Sequence, residues 1–108
     1  MDLNQMKCVV CEGGIPPLTP EKISEYKSQV NQGWQVTENK KIRRDFAFKD
    51  FKEAMAFVNK VAELAESEGH HPDIYIFYNK VALELSTHAI GGLSDNDFIL
   101  AAKIDKIS

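Results

Sequence analysis

The chain has 108 residues, 44% hydrophobic and 27% charged, with a formal net charge of -3 at pH 7. That is enough for one hydrophobic core and not for two. Acids and bases are interspersed without the basic patch or stripe that nucleic acid demands, and no apolar run approaches the roughly 20 residues of a membrane helix.

Met1 to Gln5 shows no basic segment followed by an apolar one, so a secretory leader is not expected and a cytoplasmic protein is. Residues 1–18 are expected to form an irregular N-terminal arm ending in Pro16-Pro17, ahead of a single domain over residues 19–108. The arm carries both cysteines, Cys8 and Cys11, as a lone Cys-x-x-Cys. Structural zinc sites want four ligands, usually from two such pairs. A thioredoxin-like redox site needs a helix directly after the motif, and Glu12 to Pro17 cannot start one promptly. Two reduced cysteines are the plain reading, and a metal shared between subunits is the alternative.

Thr19 is a good N-cap, Pro20 suits the first helical position and Glu21 sits well in the first turn. Ile23, Tyr26 and Val30 make a narrow apolar stripe, and Gly33 is expected to cap the helix end. A hairpin follows: Trp34 to Glu38, a turn at Asn39-Lys40, then residues 41–48 in alternation. Within it, Lys40-Lys41-Ile42-Arg43-Arg44 reads as the solvated start of a strand and not as a polyanion site. Asp50-Phe51-Lys52-Glu53 has the capping-box pattern and opens a helix to about Ser67. Phe51, Met55, Val58, Ala62 and Ala65 line one face, and Ala54, Phe57, Val61 and Leu64 widen it, so cover beyond one sheet is expected. Gly69 ends that helix and Pro72 prevents its renewal. Ile74 to Tyr78 reads as a strand buried on both faces, Asn79-Lys80 as a two-residue turn, and Val81, Leu83 and Leu85 as the inward side of the next strand. Ser94 to Asp97 is another capping box and opens the last helix. The order α-β-β-α-β-β-α implies an α+β two-layer sandwich: a four-stranded antiparallel sheet covered on one face by helices.

The three histidines are His70, His71 and His88. Counting outward from a turn at Asn79-Lys80, Tyr78 opposes Val81, Asp73 falls opposite Ser86, and His71 is level with His88. The imidazoles should therefore meet at one edge of the sheet. With no serine or cysteine in place as a nucleophile, such a group suits general acid–base catalysis near neutral pH.

Glu66, Gly69, His70-His71-Pro72, Tyr78, His88 and Asp97 at these spacings closely resemble the signature of the pterin-4a-carbinolamine dehydratases. Gly33-Trp34, Leu85 to His88 and Gly92-Leu93-Ser94 also look typical, and the resemblance spans Leu18 to Ile104. Gly69 stands where many relatives carry an acidic residue, and Asn96 where some carry an arginine. The resemblance implies loss of water from 4a-hydroxytetrahydropterin to give quinonoid dihydropterin, in turnover of the pterin used by an aromatic amino-acid hydroxylase. It implies no cofactor and no metal. It makes His70 and His88 the proton-transfer residues and His71 a substrate-orienting one. Backbone groups of Gly69 to His71 and of Ser86, Thr87, His88 and Ala89 are expected to hold the pterin edge, with Trp34 as an aromatic wall. Glu66 is expected to orient His70, and Asp97 to serve the helix cap or the site. A homo-oligomer, dimer or tetramer, is expected. The alternative is a dimerisation cofactor or another protein-binding module on the same fold.

Overall fold

The computed structural model describes residues 3–8 and 16–108. Cys11 therefore lies outside the described residues. Among the described residues three α-helices, α1 (Pro20–Lys27), α2 (Phe51–Glu68) and α3 (Asp95–Ile107), flank two strand pairs, β1 (Gln35–Thr37) with β2 (Lys41–Ala47) and β3 (Asp73–Phe77) with β4 (Lys80–Leu85). The strands form one antiparallel sheet in the order β1-β2-β4-β3, which is the α+β layer expected from the sequence.

The helix starts lie where local hydrogen bonding puts them. The Thr19 hydroxyl accepts from Lys22 N–H, and the Asp50 carboxylate accepts from Glu53 N–H at 2.9 Å. The end of α1 differs from expectation. It stops at Lys27, because the Ser28 hydroxyl donates back to Glu25 O at 2.7 Å and the chain continues in short-range turns. Gly33 caps nothing; its N–H donates to Asn31 Oδ1. The end of α2 is as expected, with Gly69 in the left-handed region at φ 69° and its N–H bonded to Ala65 O.

The second hairpin is shifted from the expected register. Its turn residues are Tyr78 and Asn79, with Tyr78 at φ 54°, and Phe77 pairs with Lys80. Asp73 consequently faces Glu84 and not Ser86. Continuing that register brings His71 level with Ser86 and short of His88. The expectation that β3 is buried on both faces is also overturned. β4 takes the inner place and leaves β3 at the sheet edge, with Tyr75, Ile76, Phe77 and Tyr78 exposed.

The core lies between the inner sheet face and the helices. Ile42 and Phe46 of β2, Val81, Leu83 and Leu85 of β4, Ala54, Phe57, Val58 and Val61 of α2, and Phe98, Ile99, Leu100, Ala101 and Ile104 of α3 are buried together. Phe51 and Ala62 of α2, expected on the buried face, are exposed. No helix among the described residues is long and apolar enough to cross a membrane.

Candidate active site

Gly69 lets the chain turn sharply off α2, and the two histidines that follow are each held by a carboxylate. His70 Nε2 lies 2.6 Å from Asp97 Oδ1, and this pair is nearly removed from solvent, at 12% and 0% exposed. His71 Nε2 lies 2.5 Å from Glu66 Oε2, with both side chains open to water at 58% and 78%. Glu66 thus meets His71, not His70: both face outward from the end of α2, whereas His70 turns toward the start of α3.

Asp97 is the third residue of α3 and completes the capping box opened by Ser94. Its Oδ2 accepts from Ser94 N–H at 2.9 Å and from the Thr87 hydroxyl at 2.9 Å, while Oδ1 meets His70. One carboxylate thus serves the helix cap through Oδ2 and meets His70 through Oδ1. Because a carboxylate only accepts, His70 Nε2 carries the proton between them. Among the described residues Nδ1 has no hydrogen-bond partner, and no side-chain nitrogen or oxygen is both buried and unpaired. His70 Nδ1 therefore keeps some access to solvent.

Thr87 follows β4 in the inward phase of Leu83 and Leu85 and is buried, whereas Ser86 is half-buried and His88 exposed. His88 opens a 3-10 turn (His88–Ile90) that ends at Gly91, at φ 67°. The loop closes where Thr87 N–H donates to Gly92 O at 2.8 Å. A side chain at Gly92 would meet Pro17 Cβ at 2.9 Å, so the residue's smallness lets the N-terminal segment lie over this loop. Lys40, Lys41, Ser86, Thr87, His88, Gly91 and Gly92 line a cavity of about 240 Å³. His70 and His71 are not in that lining. The three histidines share one end of the β3–β4 pair, but among the described residues only the first two are tied to carboxylates.

Trp34 is placed elsewhere. It is fully buried, and its indole N–H donates to Asp105 Oδ1 at 2.9 Å, beside Arg44 on the same oxygen. It packs in the core and offers no face to a ligand. Tyr78, part of the motif, sits at the opposite end of the hairpin. Two residues near the site, Glu68 and Lys103, were not anticipated by sequence reasoning. Glu68 accepts from Cys8 N–H at 3.0 Å and pairs with Lys103 at 2.8 Å. Burial would push its carboxyl up, but Lys103 and the Cys8 N–H outweigh that and hold it below its ordinary 4.5. Burial, reinforced by Glu68, pushes the Cys8 thiol up to about 12, so Cys8 is a poor nucleophile. Among the described residues no group of three or more His, Cys, Asp or Glu is placed to hold a metal ion.

The family model described as pterin 4 alpha carbinolamine dehydratase matches residues 16–107. A provisionally named pterin-4-alpha-carbinolamine dehydratase of Nitrosomonas eutropha is 51% identical over 106 residues, covering 98% of this chain and 93% of the relative. One from Alkaliphilus metalliredigens, also provisionally named, is 46% identical over 97% of this chain and 95% of its own. A crystal structure of a transcriptional coactivator/pterin dehydratase from Brucella melitensis superposes with a TM-score of 0.78 at 35% identity, covering 83% of this chain and 96% of that one. A pterin dehydratase-like protein identified as a RuBisCO assembly factor in the alpha-carboxysome shares the fold, with a TM-score of 0.57 at 24% identity over 68% of this chain and 84% of its own.

Proposed function

The chain belongs to the pterin 4 alpha carbinolamine dehydratase family and is by that membership a dehydratase, a carbon–oxygen lyase; from this we propose that it removes water from a 4a-hydroxytetrahydropterin by histidine acid–base catalysis. In this reaction the C4a–O bond breaks, the N5 lone pair forms the C=N bond, one group protonates the departing hydroxyl, and another accepts the ring proton. His70 and His88 serve as the two proton-transfer groups, and His71 orients the substrate. Backbone groups of residues 69–71 and 86–89 hold the pterin edge. The reading places the protein in the cytoplasm, in turnover of a pterin used by an aromatic amino-acid hydroxylase. A half-buried free thiol at Cys8 is in keeping with that compartment.

One observation carries the proposal: His70 is bound through Nε2 by a buried carboxylate while Nδ1 stays open. A positioned imidazole of this kind contributes about 10²–10⁴-fold to a proton transfer. The test is rapid mixing of the protein with chemically generated 4a-hydroxytetrahydropterin. Wild type should speed dehydration well beyond buffer, and His70→Ala combined with His88→Ala should remove the acceleration. A wild-type rate equal to buffer ends the dehydratase reading, and an unchanged double variant ends the histidine assignment.

The exposed edge supports self-association as part of this reading. Phe77 and Tyr78 are 60% and 67% exposed at the tip of a strand that, among the described residues, is at the sheet edge. The same edge serves the alternative of a protein-binding module. Light scattering should give a multiple of the 12.2 kDa chain mass, and Phe77→Glu should lower it. A monomer mass for wild type removes both versions.

A further inference from the structure

We propose that Thr87 is a positioning residue, whose buried hydroxyl locks the Asp97 carboxylate and through it holds His70 with the proton on Nε2 and Nδ1 free for the substrate. The inference rests on the dehydratase reading only for its kinetic arm. Thr87 is 4% exposed, Ser94 9% and Asp97 0%, so water does not compete for their polar atoms. The Thr87 hydroxyl has one proton, and the 2.9 Å contact to Asp97 Oδ2 uses it, because the carboxylate can only accept. The 2.6 Å contact between Thr87 Oγ1 and Ser94 Oγ must then run the other way, with Ser94 donating. The chain of donation is therefore directed: Ser94 to Thr87, and Thr87 to Asp97 Oδ2. On the other oxygen, His70 Nε2–H donates to Oδ1.

That direction has a consequence for the imidazole. A carboxylate group can rotate about its Cβ–Cγ bond and present either oxygen. With Oδ2 held by both Thr87 Oγ1 and Ser94 N–H, only Oδ1 is left for His70. The main chain of Thr87 is itself pinned by its pairing with Gly92, under Pro17. Thr87 thus couples the end of β4 to the histidine that follows α2, although its own side chain does not reach the imidazole. Its backbone was expected among the groups that hold the pterin edge; the hydroxyl has a separate task.

The test compares Thr87→Val, which keeps shape and removes the hydroxyl, with Thr87→Ser, which keeps the hydroxyl. Long-range proton–nitrogen NMR of the imidazoles reports which ring nitrogen of His70 is protonated, without reference to turnover. Wild type and Thr87→Ser should show the Nε2–H form, and Thr87→Val a mixture of both. In the dehydration assay Thr87→Val should lower kcat about 10-fold with KM changed less than about twofold, and Thr87→Ser should recover most of it. If Thr87→Val does not fold, Thr87→Ala is read in the same way. A wild-type tautomer ratio and kcat in the hydroxyl-free variant, whatever its melting temperature, overturns the proposal. A wild type with no dehydratase activity strikes the function instead, and leaves the tautomer measurement to decide this inference.

Discussion

His70 and His71 are neighbours in the chain, and each gives Nε2 to a carboxylate at almost the same distance, 2.6 Å and 2.5 Å. By distance alone they are equivalent. By environment they are opposites: His70–Asp97 is enclosed, and Asp97 is further bound by Thr87 and Ser94, whereas His71–Glu66 stands in water. Solvent screens the second pair and leaves its geometry free to change, so it contributes little. The first pair has lost its water, and removing one partner strands the other. Distance to a carboxylate therefore does not separate the two histidines; enclosure of the carboxylate does.

The largest expected effect breaks the enclosed pair. Asp97→Asn replaces one accepting oxygen with a donating NH2, which must face either His70 Nε2–H or both the Thr87 hydroxyl and Ser94 N–H. It should lower kcat about 10²–10⁴-fold and stability by about 2–3 kcal/mol, measured by single-turnover dehydration and by denaturant titration. An activity within twofold of wild type would remove Asp97 from the mechanism.

Gly69→Ala addresses the turn that leads from α2 into the two histidines. Gly69 is at φ 69° with open space around its Cα, so the penalty is conformational and not a clash. It should cost about 1–2 kcal/mol in urea unfolding. No measurable loss would mean that the turn tolerates a side chain and does not depend on glycine.

A milder effect follows from acid. Glu68 and Glu84 are both held below their ordinary 4.5; burial opposes this in each case and is outweighed, by Lys103 and the Cys8 N–H at Glu68, and by Tyr75, Arg43 and Lys41 at Glu84. A carboxyl with a lowered folded value adds stability that is complete above the unfolded value. That stability is lost as pH falls through the folded one. The melting temperature should therefore hold above pH 4.5 and fall below it, and Glu68→Gln combined with Glu84→Gln should flatten the fall. A double variant with the wild-type acid profile would assign the loss to other groups.

The smallest effect belongs to the exposed pair. Glu66→Gln should change stability by less than about 0.5 kcal/mol, and kcat/KM by less than about threefold, as expected where only an exposed orienting contact is weakened. A loss comparable with that of Asp97→Asn would erase the contrast between the pairs.

Much of this was legible along the chain. The caps at Thr19, Asp50 and Ser94 and the left-handed Gly69 depend on contacts within a few residues, and they lie where the residue types put them. The family signature was legible for the same reason, since it is a matter of type and spacing. Three things were not. The turn register was misjudged because Tyr78 adopts a positive φ that its side chain disfavours and that Asn79 was expected to supply. The edge position of β3 depends on which strand takes the sheet's centre, and an apolar run reads alike in either place. The indole of Trp34 turned inward to Asp105, a partner from α3.

The sequence by itself determined the class of fold, the helix starts and a list of candidate histidines and carboxylates, because these rest on local hydrogen bonds and on residue type. Only the tertiary structure decided which carboxylate each histidine meets and which pair is shut away from water. Both outcomes depend on where the start of α3 lands against the ends of α2 and β4, and that is settled by packing of the shared core rather than by any short stretch of chain.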